Sequence, residues 1–168
     1  MSAPFPMLAF ERGIFSRPHG AYAISTDRAR LDFPAIHRFL SEEAPWSLNI
    51  EAGLLHRAIA GSLPFAAYDA SGALAGFCRV VTDGACFAYL RDVFVLPHHR
   101  GQGLGRALAR AALEHPDLAT VRNWMLATAD AHGVYAALGF APLAAPGNYM
   151  QRRRAAEPQA PHHKDTAA

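Results

Sequence analysis

The chain has 168 residues, 51% of them hydrophobic and 18% charged, with a formal net charge of +2 when histidine is neutral. That is one domain's worth of chain with the composition of an ordinary soluble protein. No apolar stretch approaches the roughly 20 residues of a membrane span. Nor does so small a positive surplus make a basic face for nucleic acid; the arginine run at 152–154 reads as a solvated chain end.

Residues 1–20 hold Pro4, Pro6, Pro18 and Gly20 and read as a poorly ordered lead-in. Their apolar start has no basic leading segment and is interrupted by Glu11-Arg12, so no secretory leader is expected, and the expected location is the cytoplasm. A short strand follows over residues 21–25. Asp32 can cap a helix with Pro34 in its first turn and Phe33, Ile36, His37 and Leu40 at helical spacing. Ala44-Pro45-Trp46 breaks that helix. A second is expected over residues 50–62, with Leu54, Leu55, Ala58 and Ile59 facing inward.

Strands are then expected over residues 65–68, 74–82 and 86–96, with turn chemistry at Asp69 to Gly72 and Asp83-Gly84. A helix over 104–114 places Leu104, Leu108, Ala111 and Ala112 on one side and Arg106, Arg110 and Glu114 on the other. His115-Pro116 ends it. Residues 121–128 read as a strand, Asp130 as the cap of a short helix holding Tyr135, and Gly139 as its stop. Residues 140–143 and 148–152 can pair as closing strands. The domain thus spans 21–152, with a disordered Ala/Pro/His-rich tail over 153–168. Cys78 and Cys86 read as a reduced, buried pair. Neither they nor the histidines have metal-ligand spacing, so no metal site is expected.

The chemistry concentrates in the segment from Val93 to Arg106. An apolar strand runs into Pro97-His98-His99-Arg100, and glycines at 101, 103 and 105 then open a helix. A bare backbone at a helix N-terminus offers unpaired N–H groups and the positive end of the dipole, which suits a phosphate or pyrophosphate. No Lys-Ser or Lys-Thr follows the last glycine, so a Walker-type loop is excluded. The dinucleotide fingerprint fails because Arg106 stands where its third glycine belongs. What remains is Arg-x-x-Gly-x-Gly at Arg100, Gly103 and Gly105, after a strand ending in Val-x-Pro.

This pattern resembles the coenzyme A loop of the GNAT family of N-acetyltransferases. A second block, Thr128 to Phe140 with Tyr135 and Gly139-Phe140, is similar to an element that GNAT proteins carry about this far downstream. Two blocks in order are more specific than either alone, and the resemblance covers roughly residues 20–152. It implies an α/β fold: a central mixed, mostly antiparallel sheet flanked by helices and splayed between its fourth and fifth strands. The implied activity is transfer of acetyl from acetyl-CoA to an amine, a small molecule or peptide, by direct attack. Acetyl-CoA is the cosubstrate and no metal, nucleic acid or membrane takes part. Many members dimerise, though no feature of this sequence requires it.

Residue by residue, the resemblance implies that Arg100, Gly101, Gln102, Gly103, Leu104, Gly105 and Arg106 hold the pyrophosphate. The main chain of Phe94 and Val95 holds the pantetheine arm while their side chains pack in the core. Thr128 stands near where many relatives have Asn, keeping a hydroxyl but losing the amide that contacts coenzyme A. Tyr135 is the candidate acid for the leaving thiol, a phenol being close to a thiol in acidity; otherwise it packs or positions coenzyme A. Asp92, a carboxylate inside an apolar strand, is a candidate base or the anchor of a water acting as base. Alternatively it pairs with Arg91 or another cation. Phe33, Trp46 and Tyr89, with Asp92, are candidate walls of an acceptor pocket suited to a small cation with an apolar body. Trp46 could equally plug the core. His37, Asp83, Tyr89, His98 and His132 are reserve candidates for proton transfer. Two other readings stay open: an acyl-CoA-binding sensor of the same fold without turnover, and an interaction module whose glycine loop is purely structural.

Overall fold

The structure, a computed structural model, describes residues 13–152. The first part of the expected lead-in and the tail from residue 153 lie outside the described residues. The elements run β1 (Ser16–His19), β2 (Tyr22–Ser25), α1 (Phe33–Glu42), α2 (Ala52–Ala60), β3 (Leu63–Tyr68), β4 (Leu74–Thr82), β5 (Phe87–Val95), α3 (Leu104–Leu113), β6 (Asn123–Met125) and α4 (His132–Ala136). The six strands form one sheet in sequence order. Every neighbouring pair is antiparallel except β5–β6, which is parallel.

Strand β1 occupies residues read from sequence as lead-in. It pairs with β2 through His19↔Tyr22 and Arg17↔Ile24, closed by a turn in which Gly20 takes φ +56. Pro18 disguised it, but a proline is tolerated there because β1 is an edge strand. At the other edge the expected closing strands over 140–143 and 148–152 do not form. Pro142 and Pro146 lack donors, and Pro146–Asn148 turns as a short 3-10 helix instead. The strand expected over 121–128 is reduced to the three residues of β6.

Two apolar layers cover the sheet. On β3 the period-two alternation is clean: Leu63, Phe65 and Ala67 join the core under α3, while Ala66 and Tyr68 join the core under α1 and α2. Asp32 caps α1 by accepting from the Ala35 N–H at 3.0 Å. Glu51 caps α2, its two oxygens taking the N–H groups of Gly53 and Leu54 at 2.7 Å each. Leu55 and Ile59 of α2 are buried, but Leu54, expected inward, is 48% exposed. Helix α3 is the best-buried helix face, with Leu104, Leu108, Ala109, Ala111 and Ala112 against the sheet. Of the two cysteines, Cys78 is buried as expected, but Cys86 is exposed near the β4–β5 turn and both are free thiols.

The alternation of β5 slips by one residue part-way along. Ala88 and Leu90 face α3, yet beyond Asp92 it is Val93 and Val95 that pack on that side and Phe94 that packs under α1. The cause is a β-bulge. Phe77 pairs with Phe94 and Arg79 with Arg91, so Cys78 faces two residues, Asp92 and Val93. Asp92, in this bulge, takes a left-handed φ of +54, a conformation aspartate tolerates better than most residues. The β5–β6 pairing stops before the bulge: β6 meets only Phe87 to Tyr89. From Leu90 to Val95, β5 runs on without β6 beside it. This is the expected opening of the sheet, between β5 and β6 once β1 is counted. On the other side of β5, Gly76 is needed for close approach, because a Cβ there would sit 2.8 Å from the Phe94 carbonyl.

Candidate functional site

Beyond the opening, β5 delivers the chain into Pro97–His99 and then the glycine loop. Gly101 and Gly103 have φ of +76 and +71, conformations that favour glycine. Gly103 is the N-cap of α3 and supplies no side-chain cap. The first N–H groups of α3 are therefore left without a protein acceptor at the positive end of its dipole. Arg100 turns back, its Nε donating to the Val95 carbonyl at 3.1 Å, which ties the loop to the end of β5.

A cavity of about 390 Å³ opens here, lined by Val95, His99, Arg100, Gly101, Gly103, Leu104, Gly105, Arg106, Gly133 and Val134. It joins the free end of β5, the loop, the start of α3 and the start of α4. Bare N–H groups with Arg100 and Arg106 suit a diphosphate, and the lining toward Val95 and Val134 suits an apolar arm.

The N-terminal hairpin braces this loop from behind. The His19 Nε2 meets the Gln102 carbonyl at 3.1 Å, and the Tyr22 hydroxyl meets His99 Nδ1 at 3.1 Å. The carboxylate of Asp69 lies 4.0 Å from His99 Nε2. This favours the tautomer with its hydrogen on Nε2, leaving Nδ1 to accept from the tyrosine. Asp69 is held below the usual carboxylate range, first by its hydrogen bond from the Ser71 hydroxyl and then by backbone N–H groups of Ala73 and Ser71. From sequence His99 reads only as part of a loop doublet and Asp69 only as a turn residue; His19 and Tyr22 carry no local signal because their partners are remote in the chain.

Residues 61–142 match the family model of the acetyltransferase (GNAT) domain. A crystal structure of a candidate GNAT acetyltransferase from Xanthomonas campestris pv. campestris is 47% identical with TM-score 0.77, over 82% of this chain and 94% of that one. The chain belongs to the GNAT acetyltransferase family. A curated candidate acetyltransferase from Gibberella zeae is 34% identical over 105 residues, 52% of this chain, and the match spans 59% of that protein's length. A structure from Deinococcus radiodurans, also a candidate acetyltransferase, shares the fold with TM-score 0.63 at 21% identity, covering 82% of this chain and 92% of its own.

Within this GNAT domain the loop residues expected to hold pyrophosphate share the large cavity, except Gln102, which is turned toward the hairpin through its carbonyl. Phe94 is buried, its ring stacked on Phe39 at 4.1 Å and its carbonyl packed against Gly76 of β4. The Thr128 hydroxyl accepts from the Ala131 N–H at 3.0 Å and so caps the approach to α4. The expected cap Asp130 does not do this; the N-cap position is Ala131. Gly139, at φ +89, ends α4 with paired bonds from Gly139 N–H to Ala136 and from Phe140 N–H to Tyr135. The Phe140 ring stands edge-on to Tyr135 at 6.0 Å, completing that stop.

Tyr135 is half-buried over the α3-side core, next to the cavity-lining Gly133 and Val134. Burial, then the nearby Cys78 and Asp130, push its hydroxyl up to about 12. Burial also pushes the Cys78 thiol well up.

Asp92 is paired. Arg79 donates from Nε to Asp92 Oδ2 at 2.6 Å, with side-chain exposures of 9% and 4%, and the Arg91 Nε is 3.9 Å from the other oxygen. Arg79 also reaches the Ala58 carbonyl near the end of α2. That carbonyl lies at the negative end of the α2 dipole, where a cation is favoured. Arg79 had no sequence signal of its own.

The three expected acceptor-pocket residues do not close on one another. Phe33 stacks on His37 at 6.0 Å and meets His56 edge-on at 5.6 Å. Trp46 is 52% exposed in the α1–α2 connection, and so does not plug the core. Tyr89 lies on β5 opposite Val81, with the Arg91 guanidinium 6.0 Å from its ring. The alternation of β5 before the bulge puts Tyr89 on the α1–α2 side of the sheet, the side of Phe33. Among the described residues no three His, Cys, Asp or Glu side chains gather as a metal site, and no helix is long and apolar enough to cross a membrane.

Proposed function

We propose that this chain is an acetyl-CoA-dependent N-acetyltransferase acting on an amine by direct attack. The observation that carries the reading is the cavity joining the unpaired end of β5 to the uncapped start of α3. Coenzyme A supplies an acetyl thioester, a phosphorylated end and a flexible pantetheine arm. The N–H groups from Gly103 to Arg106, with Arg100 and Arg106, would hold the pyrophosphate. The edge of β5 at Phe94 and Val95, which has no β6 residue paired beside it, would hold the arm.

At the reacting end Tyr135 supplies a phenol that remains protonated through the physiological range. It donates to the sulfur as charge develops there. Asp92 fits best as an ion-pair partner rather than a base, because Arg79 occupies one of its oxygens and the group is nearly sealed from solvent. The acceptor therefore reacts as its neutral amine, its proton passing to solvent. Phe33, Trp46 and Tyr89 flank the α1–α2 side, from which the acceptor approaches; aromatic faces there favour a cationic substrate before deprotonation.

The test is a thermal-shift titration with acetyl-CoA. A ligand that binds only the folded chain raises its melting temperature, by mass action, about 2.7 kcal/mol of stabilisation at 100 times Kd. The wild type is expected to shift, and Gly103→Glu, which puts a carboxylate among the α3 N–H groups, is expected not to. No shift in the wild type at millimolar ligand would refute the enzyme reading. A shift without thiol release in the presence of any amine would favour the sensor reading.

A further inference from the structure

A second cleft lies on the opposite side of the glycine loop. It encloses about 140 Å³ between β1 and α3 and is lined by Arg17, Pro18, His19, Ile24, Gly103, Arg106, Ala107 and Arg110. Gly103 and Arg106 line both clefts, so the two are continuous around the turn that opens α3. The α3 arginines are four apart and stand one above the other on the helix face toward β1. Like charges at that spacing repel, and a cation in the first turn opposes the helix dipole. Arg17 joins them from β1, across the cleft. Among the described residues the one carboxylate paired with this group is Glu114, bound to Arg17. Arg106 and Arg110 make no side-chain hydrogen bond or ion pair to another described residue. Three guanidinium groups thus line one cleft with a single counter-charge among the described residues, while Pro18, Ile24 and Ala107 give an apolar floor.

We infer that this cleft binds a phosphomonoester, the ribose 3′-phosphate of coenzyme A, so that the N-terminal hairpin selects coenzyme A over its 3′-dephospho form. The inference rests on the coenzyme reading above. The shared Gly103 and Arg106 place the two clefts around one turn, as a ligand with a diphosphate and a nearby third phosphate requires. Arginine forks match a dianionic phosphate's oxygens, and the apolar floor suits the sugar and base.

Isothermal titration of the full chain with coenzyme A and with 3′-dephospho-coenzyme A, at one ionic strength, tests it. The wild type is expected to bind coenzyme A about tenfold more tightly or better, the scale of one charge-assisted contact. Arg110→Gln, on the helix surface, is expected to keep its melting temperature and its affinity for the dephospho form. It should lose most of the preference for coenzyme A. Equal wild-type affinities would overturn the inference and leave the coenzyme reading standing. So would a loss in Arg110→Gln of the same size for both ligands, since both carry the pyrophosphate. Inorganic phosphate competing for the cleft while the two coenzymes bind alike would point to a free phosphate and overturn it as well. Failure of both coenzymes to bind would instead remove the reading on which it rests.

Discussion

Tyr135 shows how a single residue's chemistry depends on what surrounds it. Its hydroxyl, pushed up to about 12 by burial with Cys78 and Asp130 near it, cannot be the group whose ionisation limits the rate at moderately alkaline pH. A thiol titrates at about 8.5, so in the proposed reaction the phenol would stabilise a departing thiolate by a hydrogen bond rather than by an easy full transfer. Tyr135→Phe is therefore expected to lower kcat by on the order of 10²-fold while keeping the acetyl-CoA thermal shift. The wild-type rate should rise with deprotonation of the acceptor and show no fall assignable to Tyr135 until pH approaches 12. A Phe variant of full activity would remove Tyr135 from the chemistry.

At the scale of the element, the bulge in β5 is the feature on which the site depends. One extra residue flips the strand's alternation, and the sheet opens beside it. The buried Arg79–Asp92 pair sits at that bulge. Arg79→Leu strands a carboxylate in a nearly dry site and is expected to cost about 3–5 kcal/mol in urea unfolding. Adding Asp92→Asn should return part of the loss, since the amide tolerates left-handed backbone and needs no cation. Strict additivity of the two substitutions would show that the pair does not act as a unit.

At the scale of the whole molecule, His115 joins elements distant in the chain. Its ring meets Phe15 at 5.0 Å and Phe65 at 5.7 Å, and its Nδ1 accepts from the Asp117 N–H at 3.2 Å. The fold thus requires the neutral ring. Burial lowers its pKa, an effect that Asp117 only partly offsets. Because the folded value lies below the unfolded one, this contribution is complete above about pH 6.5 and is lost as pH falls from there toward the folded value. Melting temperature should decline over that interval in the wild type. His115→Asn, which keeps an acceptor but does not titrate, should flatten that decline; an unchanged decline would assign it to another group.

What is local in this fold is legible in the chain alone. Hydrophobic spacing located α1, α2 and α3; turn residues located β4 and β5; the glycines at 101 and 103 located the start of α3 and its uncapped N–H groups. Those signals are legible because helix periodicity, left-handed glycines and unpaired N–H groups depend on neighbours within a few residues. The remaining features arise from contacts between distant parts of the chain. Tertiary structure made residues 16–19 a strand, because an edge next to β2 accepts Pro18. It denied strands to 140–143, which holds Pro142, and to 148–152, which the 3-10 turn at Pro146–Asn148 leads into. It gave Asp92 to Arg79 rather than leaving it open, and it set His19, Tyr22 and Asp69 around the glycine loop. Each of these depends on which backbone carbonyl, guanidinium or ring arrives from elsewhere in the fold, and a pairing between residues far apart in the chain leaves no trace in the spacing of either partner.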